Sequence, residues 1–108
     1  MEDKQNILDR RYMKMAEIWA ENSYCKRRKV GALIVKDKTI ISDGYNGTPA
    51  GFENICEDET GHTKSYVLHA EANAITKVSR IRGILSILSS FIMRAKRSLP
   101  ITPKPKES

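Results

Sequence analysis

Six consecutive residues without a polar side chain, Val30-Gly31-Ala32-Leu33-Ile34-Val35, restrict the folds open to this chain more than any other feature. A strand with one face in water alternates apolar and polar side chains. This run does not alternate, so it is too continuous for a one-sided surface strand. Lys36-Asp37-Lys38 follows as a polar turn, and Thr39-Ile40-Ile41-Ser42-Asp43-Gly44-Tyr45 returns as a second strand, which predicts a β-hairpin. Upstream, Leu8, Tyr12, Met15 and Trp19 recur at spacings of four, three and four and predict an amphipathic helix over about 5–22, buried on that face. Residues 46–66 read as a long loop rich in Gly, Asn, Thr and acids; such a loop inside a compact domain usually carries function. Residues 69–80 fit a second helix, in which alanines at 70, 72 and 74 supply propensity and permit close packing. At 108 residues the chain is one domain at most.

The character changes at residue 81. Ile81, Ile84, Leu85, Leu88, Phe91 and Ile92 follow at helical spacing and predict an amphipathic helix docked on the core, then a Pro/Lys coil. Arg82 and Arg94 interrupt the apolar run, so it is too short to span a bilayer; a basic membrane-surface helix is the alternative. The net charge of +6 is concentrated here. Residues 81–108 hold six basic residues against Glu107, whereas residues 1–80 hold 13 basic residues against 12 acidic ones. A body so nearly neutral is not that of a nucleic-acid binder, and no nucleic-acid partner is expected. The polar N-terminus lacks an apolar export segment, which leaves Asn46-Gly47-Thr48 idle as a glycosylation pattern and makes the cytoplasm the expected compartment. Cys25 and Cys56 then read as reduced thiols or metal ligands.

Chemistry enters at His69-Ala70-Glu71, the first half of the zinc nucleobase-deaminase signature H-x-E…P-C-x-x-C. Residues two apart do not share a helix face, so both address one site only if His69 sits at the very start of its helix. There the partial positive charge of the helix N-terminus favours an ionised carboxylate. In such sites the metal makes a bound water acidic, and a carboxylate that is not a ligand shuttles protons to the ring nitrogen and the leaving amine. His69 is the expected zinc ligand and Glu71 the expected catalytic shuttle. The second half of the signature is missing: both cysteines precede His69, and none of Pro49, Pro100, Pro103 and Pro105 stands before a cysteine. Taken alone, the motif is weak, and a surface histidine near a helical glutamate is the better reading of it.

Its setting adds a resemblance. Lys29-Val30-Gly31-Ala32-Leu33-Ile34-Val35, Gly44-Tyr45-Asn46-Gly47-Thr48-Pro49-Ala50-Gly51 and His69-Ala70-Glu71-Ala72-Asn73-Ala74-Ile75, with the weaker Gly61-His62-Thr63 before the last, resemble successive landmarks of the cytidine/deoxycytidylate deaminase family, in its deoxycytidylate (dCMP) branch. The resemblance covers about residues 9 to 80. It implies an α/β fold, a partial α/β/α sandwich with an incomplete mixed sheet, to which residues 81–108 add an atypical helical tail. It implies a Zn2+ cofactor, dCMP as substrate, and a homo-oligomer if the full fold forms. Asn46 is then a substrate contact. A basic residue of Lys26-Arg27-Arg28-Lys29 meets the 5′-phosphate, and guanidinium geometry favours Arg27 or Arg28; the other reading of that cluster is a solvated charge run. Some members of the branch hold a second, structural zinc, for which Cys25, Cys56 and His62 are the candidates; ordinary thiols and a loop histidine are the alternative.

The function implied is zinc-dependent hydrolytic deamination of dCMP to dUMP, impaired here because the sulfur side of the site is absent. A non-catalytic nucleotide-binding remnant, or another zinc base deaminase such as one acting on tRNA adenosine, stays open. Residues 1–80 read as the N-terminal portion of the deaminase domain and 81–108 as a basic tail. A frameshift or truncation at that point is the favoured account. A natural non-catalytic relative, or ligands supplied by Cys25, Cys56 or another subunit, are the others.

Overall fold

In the computed structural model, which describes residues 3–97, the chain runs in the order α1 (Lys4–Trp19), a 3-10 turn (Ala20–Asn22), β1 (Val30–Lys36), β2 (Thr39–Tyr45), α2 (Ala70–Arg82), a second 3-10 turn (Ile84–Ile87) and β3 (Phe91–Lys96). The strands form one sheet in the order β2-β1-β3, and β1 is antiparallel to both neighbours. The expected layering is present, with α1 on one face and α2 on the other. The sheet is incomplete, and its described strands pair only antiparallel, where the resemblance implied a mixed sheet.

Residues 30–35 are all buried, as their unbroken apolar run requires. Alternate side chains serve opposite layers. Leu33 and Val35 pack with Tyr12 and Ala16 of α1. Val30 and Ala32 meet Ala70, and Ile34 meets Ala74 and Val78 of α2. The hairpin falls where the sequence puts it. Asp37 and Lys38, at φ of 50° and 60°, form the two-residue turn whose left-handed backbone matches the strand twist, and the Tyr12 hydroxyl donates to the Lys38 carbonyl at 2.9 Å.

The buried stripe of the first helix is rotated from the expected one. Tyr12, Ala16 and Ala20 are buried and Leu8 is partly so, whereas Met15 is 46% and Trp19 38% exposed. Gly31 explains the rotation. It lets the helix approach until a Cβ at that position would collide with the Ala16 carbonyl, so only small side chains fit the contact. The helix presents alanines to the sheet and carries its bulk on the flank.

The helical tail is corrected. Gly83 at φ 83° ends α2, Ser89 at φ 62° breaks any continuation, and Phe91–Lys96 extends as β3 against the free edge of β1. Met93 and Ala95 pack towards the α1 layer; the residues that alternate with them, Ile92, Arg94 and Lys96, point the other way. A bare β1 edge would leave a row of backbone N–H and C=O groups unpaired beside a buried strand, a cost that outweighs helical spacing. The Pro/Lys coil lies outside the described residues. Among the described residues no helix is long and apolar enough to cross a membrane.

Candidate functional site

His69 is the residue that immediately precedes α2, in an extended conformation (φ −69°, ψ 154°), and its side chain makes no capping bond. The imidazole is exposed. Glu71 lies in the first helical turn, where the unpaired N–H groups favour its negative charge. The condition set by the two-residue spacing is therefore met: both side chains line one cavity of about 400 Å³.

Paired backbone bonds between Gly47 and Leu68, at 3.1 and 2.8 Å, bring the end of β2 beside the entry to α2. Asn46, at that junction, also lines the cavity. Its amide is engaged in the scaffold: Oδ1 accepts from the Val30 N–H at 2.9 Å and Nδ2 donates to the Arg28 carbonyl at 2.8 Å. One lone pair and one N–H of the side chain remain for a ligand.

Arg27 and Arg28 border the same cavity and are exposed. Their segment is held by Glu57, whose carboxylate accepts from the backbone N–H groups of Lys26 and Arg27, each at 3.0 Å to Oε2. Lys64 and Arg94 add two further cations to the lining, against the carboxylates of Glu57 and Glu71. Sequence reasoning missed both. Lys64 sits in an unstructured loop with nothing to single it out, and Arg94 reaches the site only through the register of β3. Its partner in β1 is Ala32, which packs on Ala70, so the guanidinium arrives beside Glu71 and Nε donates to Oε1 at 3.1 Å.

Reduced thiols at Cys25 and Cys56 are corrected as well. The two sulfurs are bonded to each other, joining the segment before β1 to the 46–66 loop. Cysteines 31 positions apart carry no signal of that pairing, because the fold alone makes them meet. His62 does not join them. Its Nδ1 lies 2.7 Å from the Thr60 hydroxyl, in a turn organised by Asp58. Hydrogen bonds from the Thr60 hydroxyl and the His62 N–H hold the Asp58 carboxyl below its ordinary value. Glu57 stands where His62 was expected: the donor atoms of Cys25, Cys56 and Glu57 lie within 4.8 Å of one another. Once reduced, that trio would offer two thiolates and a carboxylate, donors that suit zinc.

The cavity itself does not fit a catalytic zinc. Such a site takes three protein donors and keeps one position open. Here His69 supplies one nitrogen, the described cysteines are spent on each other, and the cation beside Glu71 is a guanidinium.

The family described as "Cytidine and deoxycytidylate deaminase zinc-binding region" matches residues 6–95, past the residue-80 limit of the sequence resemblance and into β3. The deoxycytidylate deaminase of Mycobacterium phage D29 is 34% identical over 86 residues, 67% of each chain. The deoxycytidylate deaminase of Schizosaccharomyces pombe is 35% identical over 85 residues, 68% of this chain but 26% of the yeast protein. The structure of the dCMP deaminase of cyanophage S-TIM5, solved with dCMP and dUMP, superimposes with a TM-score of 0.75 at 46% identity, over 84% of this chain and 65% of the phage chain. The chain thus spans from about a quarter to two thirds of these relatives. From His69-Ala70-Glu71 at the start of α2 to the match through β3, it belongs to the cytidine and deoxycytidylate deaminase family, in the dCMP deaminase branch.

Proposed function

We propose that this chain is a nucleotide-binding member of that branch, taking a dCMP-class nucleotide, and that its own hydrolytic capacity, the conversion of dCMP to dUMP and ammonia, is impaired. The observation that carries the reading is a single cavity that combines the His69–Glu71 pair with a surplus of cations at its rim. Arg27 or Arg28 serves the 5′-phosphate, since a planar guanidinium can grip it through two N–H groups. The free N–H and lone pair of Asn46 serve the sugar. Glu71 and its neighbours face the exocyclic group of the base. Impairment follows from the donor set, which supplies one of the three ligands a catalytic zinc requires. By resemblance, the chain works in the cytoplasm, and as a homo-oligomer if the full family fold forms; light scattering on the purified protein checks the assembly.

Calorimetry with dCMP tests the binding, and ammonia release with zinc added tests the turnover. Saturable heat with background ammonia is the expected pair of results. Absence of binding would remove the reading, and robust zinc-dependent turnover would overturn the impairment.

A further inference from the structure

Arg94 changes what the cavity can recognise. It lies on the α2 side of β3 and its Nε holds Glu71 Oε1 at 3.1 Å, inside the cavity that His69 and Arg28 also line. A lone carboxylate there would be a pure hydrogen-bond acceptor, suited to the amine of a cytosine-type base. A guanidinium carries five N–H groups and no acceptor. Paired through Nε, it keeps its outer N–H groups for a ligand and takes one carboxylate oxygen away from it.

We propose that Arg94 is a specificity-determining residue that turns this pocket towards nucleoside monophosphates whose base carries a carbonyl at the exocyclic position, and away from those that carry an amine. The proposal rests on the nucleotide-binding reading above. A uracil-type O4 accepts an N–H from Arg94, whereas a cytosine-type amine sets N–H against the N–H groups of Arg94 and has only the remaining acceptor capacity of Glu71 to donate to. The donor set points the same way. Next to Glu71 the chain places a fixed cation of its own, so a second cation entering there would meet like-charge repulsion. The pocket is furnished to hold a product-like nucleotide. The side chains of Arg94 and Glu71 are 43% and 33% exposed, so water screens the pair and the preference is modest, about fivefold.

The test is calorimetry of the full chain with dUMP and with dCMP, repeated on Arg94→Gln and Arg94→Lys. The unmodified chain is expected to bind dUMP about fivefold more tightly than dCMP. Arg94→Gln, whose amide offers both a donor and an acceptor, is expected to abolish the difference, and Arg94→Lys to keep part of it. Equal affinities, or tighter dCMP, in the unmodified chain would overturn the inference and leave the nucleotide-binding reading intact. Binding of neither nucleotide would remove that reading and the inference with it. The ratio in the unmodified chain decides the matter even if a variant fails to fold.

Discussion

Replacing Gly44 with alanine should loosen the seat of α2, and with it the cavity. A Cβ built at Gly44 lies 2.5 Å from the Ala70 carbonyl oxygen, 2.7 Å from the Ala74 nitrogen and 3.1 Å from the Ala74 Cβ. Ordinary contact begins near 3.4 Å, so the helix must retreat by about 0.9 Å at its first turn. The opposing atoms are mostly backbone, which cannot swing aside as a long side chain would. Overpacking of this kind costs about 1–3 kcal/mol, and a backbone obstacle belongs at the upper end. The retreat also stretches the buried bond from the Ser42 hydroxyl to the Ala74 carbonyl, now 2.7 Å, worth about 1 kcal/mol. A total near 3–4 kcal/mol follows, a large share of the stability of a small domain. Urea unfolding followed by circular dichroism measures it. Gly47→Ala is the control, because nothing lies within 4 Å of a Cβ there, and it should stay within about 0.5 kcal/mol of the parent. If Gly44→Ala also stays within that margin, the close approach of α2 to β2 is not what seats the helix.

Asn46→Ala should cost about 1–3 kcal/mol, since it strips partners from the Val30 N–H and the Arg28 carbonyl; an unchanged urea midpoint would contradict that. Reduction of Cys25–Cys56, which closes a loop of 31 residues, should lower stability by about 3–4 kcal/mol; identical unfolding with and without a phosphine reductant would refute it. Asp58 is held below its ordinary value by the Thr60 hydroxyl and then the His62 N–H, so its contribution to the turn is present above the unfolded value and lost as pH falls through the lowered folded one. The amide shifts of Thr60 and His62 should therefore titrate below the usual aspartate range, and a midpoint at or above it would be the contrary result. Ile34→Ala removes a fully buried side chain between Ala74 and Val78 and should cost about 2–5 kcal/mol by thermal or urea unfolding; a cost under about 1 kcal/mol would mean that the core collapses to fill the space.

The hairpin and the second helix were legible in the sequence because each carries a local signature: an unbroken apolar run, a short polar turn, an alanine-rich repeat. His69 and Glu71 were legible for the same reason, and the geometry they required of the helix start was met. The face of α1 was only half legible. Apolar periodicity favours Met15 and Trp19 over Ala16 and Ala20, but which face packs is set by Gly31, a residue in another element. The strand β3 was hidden because Ile84, Leu85, Leu88, Phe91 and Ile92 also fit helical spacing, and the demand of an unpaired β1 edge exists only once the hairpin has formed. Arg94 and the Cys25–Cys56 bond were invisible for a stronger reason. Both depend on which chain segments become neighbours, and no short stretch of sequence encodes that.

The pairing of β3 with β1 sets Arg94 opposite Ala32. Side chains on a strand point alternately to its two faces, so sliding β3 by one residue would swing that guanidinium through to the α1 layer and carry Met93 and Ala95 out of their packing. Loss or gain of one residue between Gly83 and Ser90 would make such a slide wherever the connector did not absorb the change. The three-stranded sheet would survive it, while the cavity exchanged its resident cation for an aliphatic wall. Which side chain faces Glu71 in the cavity is thus set in part by a connector that does not itself line that cavity.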